Sequence, residues 1–133
     1  MRIIIIGVGE VGFHVAKALS QENFDITVID IDTMKCRRAS EHLDVIVVEG
    51  NGASSDKLIK ANVEGADYVL ALTRSDEVNL IASQQAHIIG AKKIIARLRN
   101  QQYSRRDSII RPEKFGVDLI IHPEKVVCEE IVR

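Results

Sequence analysis

Arg2-Ile3-Ile4-Ile5-Ile6-Gly7-Val8-Gly9-Glu10-Val11-Gly12 decides how the chain folds. The isoleucine run has no polar alternation and therefore no wet face, so it reads as a strand buried on both sides of a parallel sheet. Three glycines in the pattern G-x-G-x-x-G follow at once. Val11, Val15 and Leu19 then recur every four residues, with Ala16 and Ala18 beside them, the apolar stripe of a helix packed on that sheet. A second apolar run, Asp25-Ile26-Thr27-Val28-Ile29, ends on Asp30, eighteen residues beyond Gly12. Strand, glycine turn, helix, strand and acid in this order form the dinucleotide-binding fingerprint.

The rest of the chain repeats the alternation. A polar, helix-compatible segment from Ile31 to His42 precedes a strand at Val45–Val48, and a glycine-bearing loop, Glu49 to Ser55, lies at its carboxyl end. Ser54 or Ser55 is placed to cap a helix over Asp56–Ala61. A fourth strand at Tyr68–Leu72 leads into Thr73-Arg74-Ser75-Asp76-Glu77, which matches the capping pattern S/T-x-x-D/E and puts acids in a first helical turn. That helix runs to about Ile89, with Val78, Ile81, Ala82, Ile88 and Ile89 as its expected buried face and Gly90 as its left-handed cap. Lys93–Arg97 is a fifth strand, Gln101–Ile110 a looser helix, Val117–Ile121 a sixth strand, and Pro123 suits the first turn of a last helix. Right-handed crossovers between such elements give an α/β fold: a Rossmann-type, doubly wound, six-stranded parallel sheet in the order 3-2-1-4-5-6. Val126, Val127, Ile131 and Val132 keep a helical pattern up to Arg133. Residues 1–133 are therefore expected to be one domain, a fragment whose last helix continues further or docks on another subunit.

Composition narrows the class. At 133 residues the chain suits one core, and 46% hydrophobic against 28% charged residues is a globular balance. The net charge of −1 lacks the basic excess that nucleic-acid binding shows, which argues against such a partner. No apolar run reaches the roughly twenty residues that span a bilayer, and the start is strand-like, without the charged n-region and apolar h-region of a leader. Direct membrane insertion is not expected. Cys36 and Cys128 form no C-x-x-C pair, which favours reduced thiols in a cytosol.

Each part of the fingerprint has a mechanical role. Gly7 allows the tight turn, Gly9 lets the backbone approach a pyrophosphate, and Gly12 permits close packing of helix on strand. The phosphates then face free N–H groups at a helix N-terminus, an anion site that needs no basic side chain. Asp30 is placed to accept hydrogen bonds from ribose hydroxyls and to repel a 2′-phosphate. No arginine follows it immediately, since Arg37 and Arg38 come later, so NAD(H) or an adenine nucleotide is favoured over NADP. Asp32 reads equally as a second acid of the site and as a helix N-cap. Glu10 is a first-turn acid that suits the helix dipole, yet it would repel phosphate if it faced the ligand. Arg97, at the end of its strand on the glycine-loop edge, fits either a phosphate contact or a surface ion pair.

The four histidines, His14, His42, His87 and His122, have no catalytic partners in the sequence. No Ser-His-Asp order, metal-ligand cluster or Y-x-x-x-K pair is present. A hydride-transfer enzyme also needs a substrate site, and six strands committed to a nucleotide fold leave little to build one.

Taken together, Ile3 to Gly12, Asp25 to Asp30, Gly50-Asn51-Gly52, Leu72 to Asn79 and Ile95-Ala96-Arg97 resemble the KTN/RCK N-terminal (TrkA-N) domain family across nearly the whole chain. Those are cytosolic regulatory domains of bacterial and archaeal potassium transporters and channels, and the likeness is greatest to those of Trk-type uptake systems. The resemblance implies a non-enzymatic nucleotide switch. NAD(H) or ADP/ATP would bind the crevice of a dimer or ring, which would gate a membrane potassium transporter or channel subunit from the cytoplasmic face. It also implies contacts at Gly7, Gly9, Glu10, Val11 and Gly12 on the phosphate side. Asp30 becomes the ribose anchor, with Ile31, Asn51 and Gly52 near the adenine, Thr73 and Arg74 near the nicotinamide or terminal phosphate, and Arg97 on phosphate. Many members carry Arg or Gln where Glu10 stands, a departure that weighs against ATP. They also carry a C-terminal ligand-binding lobe, and some use an acid at the position of Glu124 in a subunit contact. The alternatives are the cofactor half of an NAD-dependent dehydrogenase and a nucleotide module used only for assembly.

Overall fold

Four consecutive isoleucines alternate between two cores. They belong to β1 (Arg2–Ile6), the third strand across a six-stranded parallel sheet ordered β3-β2-β1-β4-β5-β6. In this computed structural model, which describes residues 1–122 and 131, Ile3 and Ile5 enter one hydrophobic cluster and Ile4 and Ile6 the other. All four are buried, as the unbroken apolar run requires.

The first cluster lies under α1 (Glu10–Ser20) and α2 (Thr33–His42), where Val15, Ala16, Leu19 and Ala39 cover Ile3, Ile5 and the β2 (Asp25–Asp30) residues Ile26 and Val28. The buried, helical Ile131 joins it. The second cluster lies under α3 (Ser55–Lys60) and α4 (Asp76–Ile89), where Leu58, Ala82 and Ala86 meet Ile4, Ile6 and Val69. β3 (Ile46–Glu49) is an edge strand and leaves Ile46 exposed. β4 (Tyr68–Ala71) and β5 (Ile94–Arg97) continue the sheet on the other side of β1, and β6 (Leu119–Ile121) closes it. Ile3 is in register with Ile26 on β2 and with Tyr68 on β4, so the chain reverses its winding between β1 and β4.

Four local expectations change. No helix forms over Gln101–Ile110; single 3-10 turns occupy Gln101–Tyr103 and Pro112–Phe115 instead. The stretch has no apolar stripe to bury, Ile109 being 95% exposed, and the residue before Pro112 is held extended. On α4 the buried face is Asn79, Leu80, Ala82, Ser83 and Ala86, whereas Ile81 and Ile88 point outward. Small side chains let α4 approach the sheet closely, and the larger isoleucines are left outside. The α4 N-cap is Ser75, whose hydroxyl accepts from the Val78 N–H, two residues later than a cap at Thr73. Ser54 takes the N-cap position of α3, but its hydroxyl caps nothing. The expected helix from Pro123, with Glu124, falls outside the described residues.

Candidate functional site

At the winding reversal the chain leaves β1 through a turn that only glycine fits. Gly7 has φ +93° and a Cβ there would lie 2.9 Å from Thr73, while a Cβ on Gly12 would lie 1.7 Å from the Gly7 carbonyl oxygen. The Gly7 N–H donates to the Ile29 carbonyl at 2.8 Å, tying the turn to the end of β2. α1 begins at Glu10 behind Gly9, with no side chain capping its first-turn amides.

Asp30 straps the same turn from the other side. Its Oδ2 accepts from the Val8 N–H at 2.8 Å and its Oδ1 from the Asp32 N–H at 2.8 Å. Each oxygen keeps a lone pair for a further donor. Asp32 caps α2, its Oδ1 accepting from Met34 N–H and Lys35 N–H at 2.9 and 3.1 Å, and does not line the crevice; of its two sequence readings the structure shows the N-cap. Below Asp30, the Cys36 thiol donates to the Asp30 carbonyl; burial and the nearby Asp30 and Glu49 carboxylates push that thiol up, so it stays protonated at neutral pH.

The far wall is held by Asn79. Fully buried, it accepts from the Thr73 N–H and hydroxyl at 3.0 and 2.7 Å and donates to the carbonyls of Thr73 and Arg97 at 3.1 and 2.7 Å. Buried Asp76 accepts from the Arg99 and Asn100 N–H groups at 2.9 and 2.8 Å. The first turn of α4 thus fixes where β4 and β5 end.

Between these walls lies a crevice of about 610 Å³, lined by Gly7, Gly9, Glu10, Val11, Asp30, Ile31, Asn51, Gly52, Thr73, Arg74 and Arg97. Of the residues expected to form the site, only Gly12 and Asp32 stand outside this lining, Gly12 because it packs α1 onto the turn. Asn51 uses its side-chain oxygen to accept from Ala53 N–H, which holds the loop after β3 against Ile6. Ser75, Val78, Lys35 and Arg99 also line the crevice and were missed. Arg99 had a signal, lying two residues beyond Arg97 at the end of β5, whereas nothing in the spacing of Lys35 marks it.

Four cations, Lys35, Arg74, Arg97 and Arg99, face two carboxylates, Glu10 and Asp30, and none of the four is in an ion pair among the described residues. The lining is therefore net positive and suits a polyanion. None of the four histidines lines it, and no group of three or more potential metal ligands occurs among the described residues. No helix among them is long and apolar enough to cross a membrane.

A doubly wound parallel sheet with a glycine turn at its winding reversal and an acid closing β2 defines a Rossmann-type domain. The chain belongs to the TrkA-N domain family, whose model matches residues 3–123. It is 41% identical over its whole length to the Trk system potassium uptake protein TrkA homolog of Archaeoglobus fulgidus, covering 30% of that protein. It is 44% identical over 98% of its length to the trkA homolog 1 of Methanosarcina mazei, covering 33% of that one. The chain thus spans about a third of the length of these curated relatives. Among solved structures, the TrkA-N domain of the inner membrane protein ybaL from Escherichia coli superimposes with a TM-score of 0.79 at 18% identity, covering 98% of this chain and 93% of that one. The GsuK channel bound to NAD gives a TM-score of 0.74 at 18% identity over 90% of this chain and 21% of that one. At these identities the two likenesses concern the fold.

Proposed function

We propose that this domain is a non-enzymatic, nucleotide-sensing regulatory module of a potassium transport system. NAD(H), or ADP/ATP, occupies the crevice, and the bound nucleotide biases a dimer or ring of domains that gates a membrane potassium transporter or channel from the cytoplasm. The observation that carries the nucleotide reading is Asp30: its carboxylate is locked by Val8 N–H and Asp32 N–H beside the glycine turn, with a cationic rim opposite. A ribose on Asp30 directs the attached phosphates over Gly9 toward the open amides of α1, with the terminal end directed at Thr73, Arg74 and Arg97. The potassium partner is supported by the whole-length identity to Trk uptake proteins. Asp30, an acid of the lining, is tied by two backbone amides, which suits holding a ligand better than moving a proton.

A ligand shifts a two-state assembly only through differential affinity for the two states. Calorimetric titration of the 133-residue chain with NAD⁺, NADH, ADP and ATP, alongside small-angle scattering, tests this directly. The expected result is binding in at least one case, lost in Asp30→Ala, with a scattering profile that differs between nucleotides. Binding unchanged in Asp30→Ala overturns the site, and equal affinities with identical profiles overturn the switch.

A further inference from the structure

Among the described residues that line the crevice, Lys35 alone comes from α2. Its Nζ and Cε lie 3.6 and 3.9 Å from the place a Cβ on Gly9 would take, so the ammonium stands over the second glycine of the turn. The backbone beneath it is fixed, because Asp32 accepts from both the Met34 and Lys35 N–H groups. Those two amides are therefore occupied, and what the start of α2 presents to the crevice is the Lys35 side chain. Lys35 makes no ion pair with a carboxylate among the described residues, Glu10 included.

The geometry points to Lys35 as a phosphate-binding residue of this site. Resting on the nucleotide reading above, it places the diphosphate between the open amides of α1 on one side and the Lys35 ammonium on the other. A lysine is a compact charge on a flexible stem, suited to following a diphosphate without imposing the planar fork of an arginine. It also offsets the Glu10 carboxylate, which follows Gly9 directly and would otherwise weaken phosphate binding there.

The test compares the 133-residue chain with Lys35→Met, Lys35→Arg and Lys17→Met, the last removing an equal charge from the exposed end of α1. ADP and NADH are titrated by calorimetry at two salt concentrations, and adenosine by chemical-shift perturbation. The expected result is a roughly tenfold loss of ADP and NADH affinity in Lys35→Met. Adenosine should bind unchanged, salt dependence should flatten, Lys35→Arg should retain most of the affinity, and Lys17→Met should match the parent chain. Undiminished ADP binding in Lys35→Met overturns the assignment, as does an equal loss for adenosine or the same loss in Lys17→Met. A parent chain that binds none of the three overturns the nucleotide reading itself, which separates the two failures.

Discussion

The side-chain amide of Asn79 donates to the main-chain carbonyl of Arg97 at 2.7 Å, joining the first turn of α4 to the last residue of β5 across eighteen positions. Its second N–H donates to the Thr73 carbonyl, and its oxygen accepts twice from Thr73. One buried side chain therefore sets the spacing of two crevice walls. Replacing it with alanine removes these partners from the Thr73 N–H and the Arg97 carbonyl and leaves a gap where a fully buried side chain stood. Asn79→Ala is expected to lower the unfolding free energy by about 2–4 kcal/mol, read from urea denaturation. Asn79→Asp keeps the acceptor but loses both donors and is expected to do no better. An unchanged urea midpoint for both variants would show that the clasp holds nothing.

The glycines of the turn separate folding from binding. A Cβ on Gly12 meets the Gly7 carbonyl oxygen at 1.7 Å, backbone that cannot step aside, so Gly12→Ala is expected to cost roughly 3 kcal/mol or more. A Cβ on Gly9 meets nothing nearer than the Lys35 ammonium at 3.6 Å, an ordinary contact. Gly9→Ala should therefore melt within a few degrees of the parent chain while binding ADP and NADH at least roughly tenfold more weakly, since the methyl would take the space that a pyrophosphate bound as proposed needs. Parent-like affinity in Gly9→Ala would remove the phosphate from that position.

The sheet was readable because its signals are local: an unbroken β-branched run, a glycine turn and an acid closing the next strand leave few topologies open. The crevice residues at the strand ends were legible for the same reason, since the winding reversal of such a sheet decides which loops meet. Side-chain direction on α4 was not. Hydrophobicity assigned Ile81 and Ile88 to the core, but close packing on β4 and β5 selects small residues, and Asn79 and Ser83 are buried there in place of the larger ones. Asn79 carries no sign in the sequence that all four of its hydrogen bonds are made internally. Lys35 was missed because what matters is how α2 returns toward the glycine turn, a tertiary relation that spacing from Asp30 does not encode.

At the amino ends of the two central strands, the Arg2 N–H donates to Asp67 at 2.8 Å, and with Lys92 nearby this holds the Asp67 carboxyl below its ordinary value. A carboxylate with a depressed folded-state pKa stabilises the fold above its unfolded pKa, and that contribution disappears as pH falls through about 4 and below. Asp67→Asn is expected to be less stable than the parent chain at pH 7, with the gap narrowing in acid. Urea midpoints at neutral pH and near pH 3 measure it, and a gap that stays constant would assign the contact no ionic part.

Glu10 has opposite effects with and without ligand. In the free domain its carboxylate sits in the first turn of α1, where the helix dipole favours a negative charge by about 0.3–1 kcal/mol. In the crevice it adjoins Gly9, where a phosphate bound as proposed would meet it with like charge. Glu10→Gln is therefore expected to lower the melting temperature slightly while tightening nucleotide binding. The gain should grow with phosphate charge: absent for adenosine, small for NADH, larger for ADP, and largest for ATP at roughly tenfold or less in low salt. Raising the salt concentration should compress that series, because the carboxylate is exposed. The reverse order, with ATP binding weakened by the substitution, would mean that Glu10 contributes to binding, as a carboxylate does when it shares a cation with the bound phosphates.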